Sequence, residues 1–322
     1  MKETLYLVIP CYNEEEVLSE TSKRLLEKIT KMMNKELINK ESKILFVNDG
    51  SKDSTWSIIE KLHDENPIFS GVNLSRNKGH QNALLAGLMT AKEYADVTIS
   101  LDADLQDDIE VLDKFVEEYY GGSDVVYGIR SSRETDTFFK RTTALAFYKF
   151  MNTLGVDVMY NHADYRLMSK RALDGLSQFK EVNLFLRGIV PLIGYKYSVV
   201  EYERHERFAG ESKYPLKKML AFALDGITSF SIKPIRIITG MGFFIFLISP
   251  LVLVYTLVMK FTDRTVSGWT SLTASIWMIG GIQLLSLGVI GEYVGKIYNE
   301  TKARPRFIIE DKLISSDNQE QK

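Results

Sequence analysis

Residues 97–107 read VTISLDADLQD. Val97–Leu101 has the pattern of a buried strand, and it runs straight into Asp102-Ala103-Asp104. Two carboxylates two residues apart at a strand end can reach one hard cation, and Gln106 adds a neutral oxygen. Mg²⁺ binds through one or two carboxylates completed by substrate phosphates, which matches so sparse a set. An EF-hand does not fit, because Asp107 stands where that loop needs glycine. The competing reading is a solvated acidic loop in which Asp107 and Asp108 only cap the next helix.

Strands and helices alternate on either side of this stretch. Leu5–Ile9 is a short apolar run ended by Pro10, and residues 14–33 have helical spacing. Lys43–Asn48 (KILFVN) is a second strand, closed by an Asp-Gly-Ser turn, and Ser54 caps a helix running to about Asn66. Gly71–Leu74 is a third strand, followed by a helix over 79–94. The Asp-rich loop leads to a helix over 109–120 and a strand over 124–127. This order predicts an α/β fold, a Rossmann-like, mostly parallel sheet with helices on both faces. Ligands of such sheets bind at the carboxyl ends of the strands. Pro10–Glu14, Asn48–Ser51 and Asp102–Asp104 follow three strands, so they converge on one rim. No GxxxxGK[ST] loop occurs, and no G-x-G-x-x-G follows the first strand. Asp49 is placed for a ribose hydroxyl or a base edge, or it only makes a turn.

Composition narrows the classes. The chain has 322 residues, enough for two folding units at roughly 150 residues each. With 45% hydrophobic and 25% charged residues it is not disordered, collagen-like or a coiled coil. A net charge of −2 gives no basic domain for nucleic acid. Cys11 is the only cysteine, so neither an internal disulfide nor a multi-cysteine zinc site can form. His63, His80, His162 and His205 are scattered.

After Pro234 the pattern changes. Residues 235–259 carry one charge, Arg236, and residues 269–290 carry none; 260–268 form a polar turn between them. Both stretches reach the ~20 residues that span a bilayer. Lys217, Lys218, Lys233 and Arg236 lie before the pair, and Lys296, Lys302, Arg304 and Arg306 after it. The positive-inside rule therefore puts both ends in the cytoplasm, and no signal peptide precedes the first strand. Leu216, Met219, Leu220, Ala223, Leu224, Ile227 and Phe230 form one helical stripe, read as a helix lying in the membrane interface. The expected organisation is a cytosolic domain over 1–215, the interface helix over 216–233, two membrane helices over 234–292 and a cytosolic tail over 293–322, polar from Ser315.

The motifs Pro-Cys-Tyr-Asn-Glu (10–14), Asn-Asp-Gly-Ser (48–51), Ser-Arg-Asn-Lys-Gly (75–79) and Asp-Ala-Asp-Leu-Gln (102–106) resemble family 2 glycosyltransferases of the GT-A fold. Residues 164–168 (DYRLM), 207–214 (RFAGESKY) and 291–302 (GEYVGKIYNETK) resemble the polyprenyl-phosphate branch of that family, the bactoprenol glucosyltransferase and dolichol-phosphate mannosyltransferase group. One departure is Asn48, where the family usually has a second Asp. The resemblance implies that Pro10, Tyr12, Glu14, Asp49, Ser51 and Lys78 line a uridine pocket. Asp102, Asp104 and Gln106 would hold Mg²⁺ or Mn²⁺ on the diphosphate of a UDP-sugar. Arg130, Arg133, Arg204, Ser212 and Lys213 would serve the leaving diphosphate and the phosphate of a polyprenyl acceptor. The reaction would be one inverting displacement at the plasma membrane. Asp164 is a base near the acceptor, a group that orients the acceptor or the sugar, or a structural carboxylate paired with Arg166. A homo-oligomer through the membrane helices is left open.

Other classes fit less well. Polysaccharide synthases of this fold carry a Q-x-x-R-W motif, and Trp56, Trp269 and Trp277 form none. A non-catalytic nucleotide-sugar sensor would not need the intact carboxylates. A transporter would need a polar path that two uncharged spans lack.

Overall fold

The computed structural model describes residues 2–131, 162–203, 233–261 and 268–314. Arg133, Arg204, Ser212, Lys213, the proposed interface helix up to residue 232 and the tail from Ser315 lie outside them. The chain divides into two compact units.

The described part of the first unit is an eight-stranded sheet with helices. Its strands are β1 (Leu5–Cys11), β2 (Lys43–Asn48), β3 (Phe69–Leu74), β4 (Val97–Ser100), β5 (Val125–Arg130), β6 (His162–Ser169), β7 (Tyr197–Tyr202) and β8 (Ile309–Leu313), in the order β7-β5-β6-β4-β1-β2-β3-β8. Among them β6 and β8 run against the rest, so the sheet is mostly parallel, as the alternation predicts. β1 and β2 are buried along their length except at Lys43, the near-continuous burial of a sheet covered on both faces. Pro10 lies inside β1, past the last residue paired with β4, where its missing N–H interrupts no ladder.

The helices are α1 (Leu18–Asn34), α2 (Thr55–Glu65), α3 (His80–Ala91), α4 (Leu112–Tyr120), α5 (Lys170–Ser177) and α6 (Leu186–Leu192). α1 buries Leu18, Leu25, Ile29 and Met32 on one stripe. It starts four residues later than its apolar spacing suggests, because residues 14–17 form a turn held by the neighbouring loop. Ser54 is the N-cap of α2, but its side chain makes no capping bond; Asp53 Oδ1 accepts from Thr55 N–H at 3.1 Å instead. α3 packs close on the sheet: a Cβ on Gly87 would lie 2.5 Å from both Val8 Cγ1 and Val47 Cγ2.

The second unit's described elements are two long helices, α7 (Lys233–Phe261) and α8 (Trp269–Lys302). Among the described residues one segment, Met278–Lys302, is long and apolar enough to cross a membrane, with none of it buried. α8 runs on through Gly291 and Gly295 and extends twelve residues past the expected end of the second apolar stretch. Residues 293–322 are therefore not simply a tail: the helix continues to Lys302, and Ile309–Leu313 enters the sheet of the first unit.

Candidate active site

The loops after β1 and β2 are laced together at the carboxyl end of the sheet. Asn13, in the left-handed region at φ +52°, donates its N–H to Ser51 Oγ (2.9 Å) and accepts from Lys52 N–H (2.9 Å). Glu14 N–H donates to Thr55 Oγ1 at 3.0 Å. Asn48 is buried; its Nδ2 donates to Asn73 Oδ1 (2.8 Å) and its Oδ1 accepts from Ser51 N–H (3.2 Å). An Asp here would lack the amide donor, which gives the departure from the family pattern a structural use. Asp49 is 2% exposed. Its two oxygens accept the N–H groups of Lys78 (2.7 Å) and Gly79 (2.9 Å), while burial pushes its carboxyl upward against those bonds. Asp49 thus grips the loop that follows β3. Gly50, at φ +61°, has no room for a side chain, since a Cβ would lie 2.5 Å from Arg76 C and Asn77 N.

Charge crowds the ends of β4 and β6. The Asp-Ala-Asp loop is tied to α1 by Thr21 Oγ1, which donates to the Ala103 carbonyl at 2.7 Å. Leu105 turns the loop with φ +57°, and Asp104 Oδ1 accepts from Gln106 N–H at 3.1 Å. Ser100 Oγ donates to the Asp164 carbonyl at 2.6 Å, setting β6 beside β4. His80, the first residue of α3, brings Nε2 to 3.6 Å from Asp102 Oδ1 and 3.7 Å from Asp164 Oδ2. Asp164 Oδ1 accepts from Arg166 Nη2 at 2.6 Å, and Arg187 forks onto both Asp164 oxygens at 3.3 and 3.1 Å. Burial works to raise the Asp164 carboxyl, but Arg187, Arg166 and His80 together hold it well below the usual carboxylate range. Such a carboxylate is a poor proton acceptor. The pairing with Arg166 weighed in the sequence reading is present, and Asp164 organises two guanidinium groups.

Asp102 is pushed the other way. Desolvation raises its carboxyl, His80 and Arg187 oppose that, and the like charges of Asp164 and Asp104 add to it. Asp107 does not cap a helix: it is 4% exposed, accepts from Tyr202 OH at 2.7 Å, and burial with Asp102 nearby pushes it up to about 6. Asp108 takes the capping role, accepting from Glu110 N–H. Arg130 Nε reaches Tyr202 OH at 3.4 Å. Among the described residues no group of three or more His, Cys, Asp or Glu side chains is arranged to hold a metal. Two mutually repelling carboxylates with an adjacent neutral amide nevertheless suit a divalent cation that takes its other ligands from a diphosphate.

Among the sequence-predicted residues, Tyr12 stands 36% exposed at the rim, while Pro10 and Asp49 are buried behind it. Ser51 belongs to the laced loops, and Lys78 to the loop after β3 that Asp49 grips. His80 and Arg187 are residues that sequence reasoning missed. His80 carried a signal, since it directly follows Ser-Arg-Asn-Lys-Gly at a helix start. Arg187 carried none. Cys11 is buried, and burial pushes its thiol upward, away from reactivity.

The family described as Glycosyl transferase family 2 matches residues 6–176, and the one described as GtrB C-terminal hairpin matches residues 233–297. The chain is 54% identical over 306 residues to the "Uncharacterized glycosyltransferase YkoT" of Bacillus subtilis (strain 168), covering 95% of this chain and 91% of the relative. It is 41% identical over 311 residues to the "Bactoprenol glucosyl transferase" of Shigella phage SfX, covering 95% and 98%. It is also 41% identical over 308 residues to the "Prophage bactoprenol glucosyl transferase homolog" of Escherichia coli (strain K12), covering 94% and 97%.

Proposed function

Since the chain belongs to glycosyl transferase family 2, with a GtrB C-terminal hairpin after the family domain, we propose that it transfers a sugar from a nucleotide sugar to polyprenyl phosphate. The donor is UDP-glucose or UDP-N-acetylglucosamine, the acceptor undecaprenyl phosphate, and the product a lipid-linked sugar for the cell envelope. The names of the phage and prophage relatives support the acceptor and favour glucose. The observation that carries the reading is the crowding of Asp102, Asp104 and Asp164 against His80 and Arg187 at the strand ends, an arrangement suited to charged substrates.

In this reading the nucleotide lies along the laced loops, against Tyr12 and the Lys78 loop that Asp49 holds. Asp102 and Asp104, with Gln106 beside them, hold Mg²⁺ or Mn²⁺. When bound, that ion stabilises charge developing on the leaving diphosphate. Arg130, Arg133, Arg204, Ser212 and Lys213 are the proposed phosphate partners. The acceptor phosphate attacks the anomeric carbon in line and inverts it. A phosphate monoester, with a second pKa of about 6, is largely dianionic near neutral pH and needs little deprotonation. Asp164 therefore orients cations rather than serving as base. α7 and α8 form two membrane crossings, with both termini and the catalytic domain on the cytoplasmic side. Incubating the purified chain with polyprenyl phosphate and a panel of radiolabelled nucleotide sugars tests the donor: a lipid-extractable product from one UDP-sugar supports the reading, and none from any donor defeats it.

A further inference from the structure

After α8 the chain turns through Ala303, at φ +44°, and returns to the sheet. Arg306 Nη1 donates to the Phe179 carbonyl at 3.2 Å, and the Ile308 carbonyl accepts the Ser75 N–H at 3.1 Å. Ile309–Leu313 then runs antiparallel along β3, pairing Leu74 with Ile309 and Gly71 with Leu313. Leu313 packs against the core, where a Cβ added to Gly71 would lie 3.3 Å from its Cδ1.

What this strand holds is the end of β3. Its register shifts between Asn73 and Leu74, so the bond from Ser75 to Ile308 lies beyond the irregularity. Asn73 carries the hydrogen bond from Asn48, and Ser75 leads into Arg76–Gly79. That loop is gripped on one side by Asp49 and pressed against Gly50. Without β8, β3 would be the sheet's edge strand and the Ser75 end of the loop would lose its bond to Ile308, leaving the far end held by Asp49 and by Asn82 Nδ2, which donates to the Lys78 carbonyl at 2.9 Å.

We propose that Ile308–Leu313 is a positioning strand for the nucleotide: the segment that follows the hairpin sets the loop Arg76–Gly79 by completing β3. A pocket whose competent form falls to one-tenth of the population binds about tenfold more weakly. The nucleotide part rests on the donor site proposed above; the coupling of strand to loop does not.

The test uses the full chain in detergent, with Leu313→Asp to detach the strand and Ile309→Pro as a second, independent break. Amide exchange is followed by mass spectrometry, UDP affinity by calorimetry, and turnover against polyprenyl phosphate. In either variant, exchange should rise in residues 75–79 as well as in 308–313. UDP affinity should fall about tenfold, with the acceptor KM within twofold of wild type. Faster exchange in 308–313, with 75–79 and UDP affinity unchanged, overturns the proposal. So does a parallel loss of donor and acceptor affinity with a collapsed melting temperature in both variants. A wild type that binds no UDP defeats the donor reading, and the exchange comparison still decides the role of the strand.

Discussion

The loops after β1 and β2 and the ends of β4 and β6 share one rim of one sheet, yet they are built in opposite ways. In the first region polar groups answer one another: Asn13 with Ser51 and Lys52, Asn48 with Asn73, Asp49 with two backbone N–H groups. In the second, carboxylates stand close enough to shift each other, and a histidine and two arginines stand among them. The first fixes a shape before any ligand arrives. The second stores charge that a cation and phosphates would balance. The donor site proposed above would use this division, with the nucleoside on the laced loops and its diphosphate at the charged strand ends.

The largest test of the comparison is Asp164→Asn. It leaves Arg166, 1% exposed, without its charged partner, and removal of one member of a buried pair costs about 3–5 kcal/mol. A thermal melt showing no loss of stability would mean that charge does not organise this region. Asp104→Ala comes next: loss of one main electrostatic stabiliser costs on the order of 10²–10³ in rate. Turnover should fall by that factor while the melting temperature holds, and EDTA should silence the wild type until Mg²⁺ or Mn²⁺ is restored. Full turnover in EDTA would reduce the acidic loop to a cap.

Asp107 sharpens the contrast through pH. Its carboxyl rises from 3.8 to about 6 on folding, so the folded state binds the extra proton and stability falls as pH climbs between those values. A shift of that size corresponds to about 3 kcal/mol at 1.36 kcal/mol per unit. Asp107→Asn keeps an acceptor for Tyr202 and should remove this loss, raising stability above pH 6 in metal-free buffer and flattening the profile. An unchanged profile would show that Asp107 is not desolvated. The smallest effect belongs to the laced loops. Ser51→Ala removes one neutral hydrogen bond from Asn13 N–H, worth about 1 kcal/mol. A loss as large as that of Asp164→Asn would erase the distinction between the regions.

The same distinction governs what could be read from the sequence. The early strands are legible because each is a short apolar run, and the motifs at their ends fall where a parallel sheet gathers them. Asp102, Asp104 and Asp49 can therefore be placed at the strand ends in advance. Arg187 is not, because α6 reaches Asp164 only through the packing of distant segments. The hold of Asp49 on the next loop is not legible, since an Asp-Gly turn does not show that the N–H groups of Lys78 and Gly79 will bond to its two oxygens. Asp107 looks like Asp108 in sequence; Tyr202, on a strand 95 residues later, separates their roles. β8 escapes because Ile-Glu-Asp-Lys-Leu falls within the stretch read as tail, and only the edge of β3 makes it a strand.

The central claim is that the acceptor is a lipid phosphate. The purified chain, given the UDP-sugar selected from the donor panel and Mg²⁺, is offered undecaprenyl phosphate and, separately, the free polyprenol with the same tail. The account predicts a lipid-linked sugar and released UDP with the phosphate, and no transfer to the alcohol. Efficient glycosylation of the polyprenol, or of a soluble sugar with no lipid present, would contradict it.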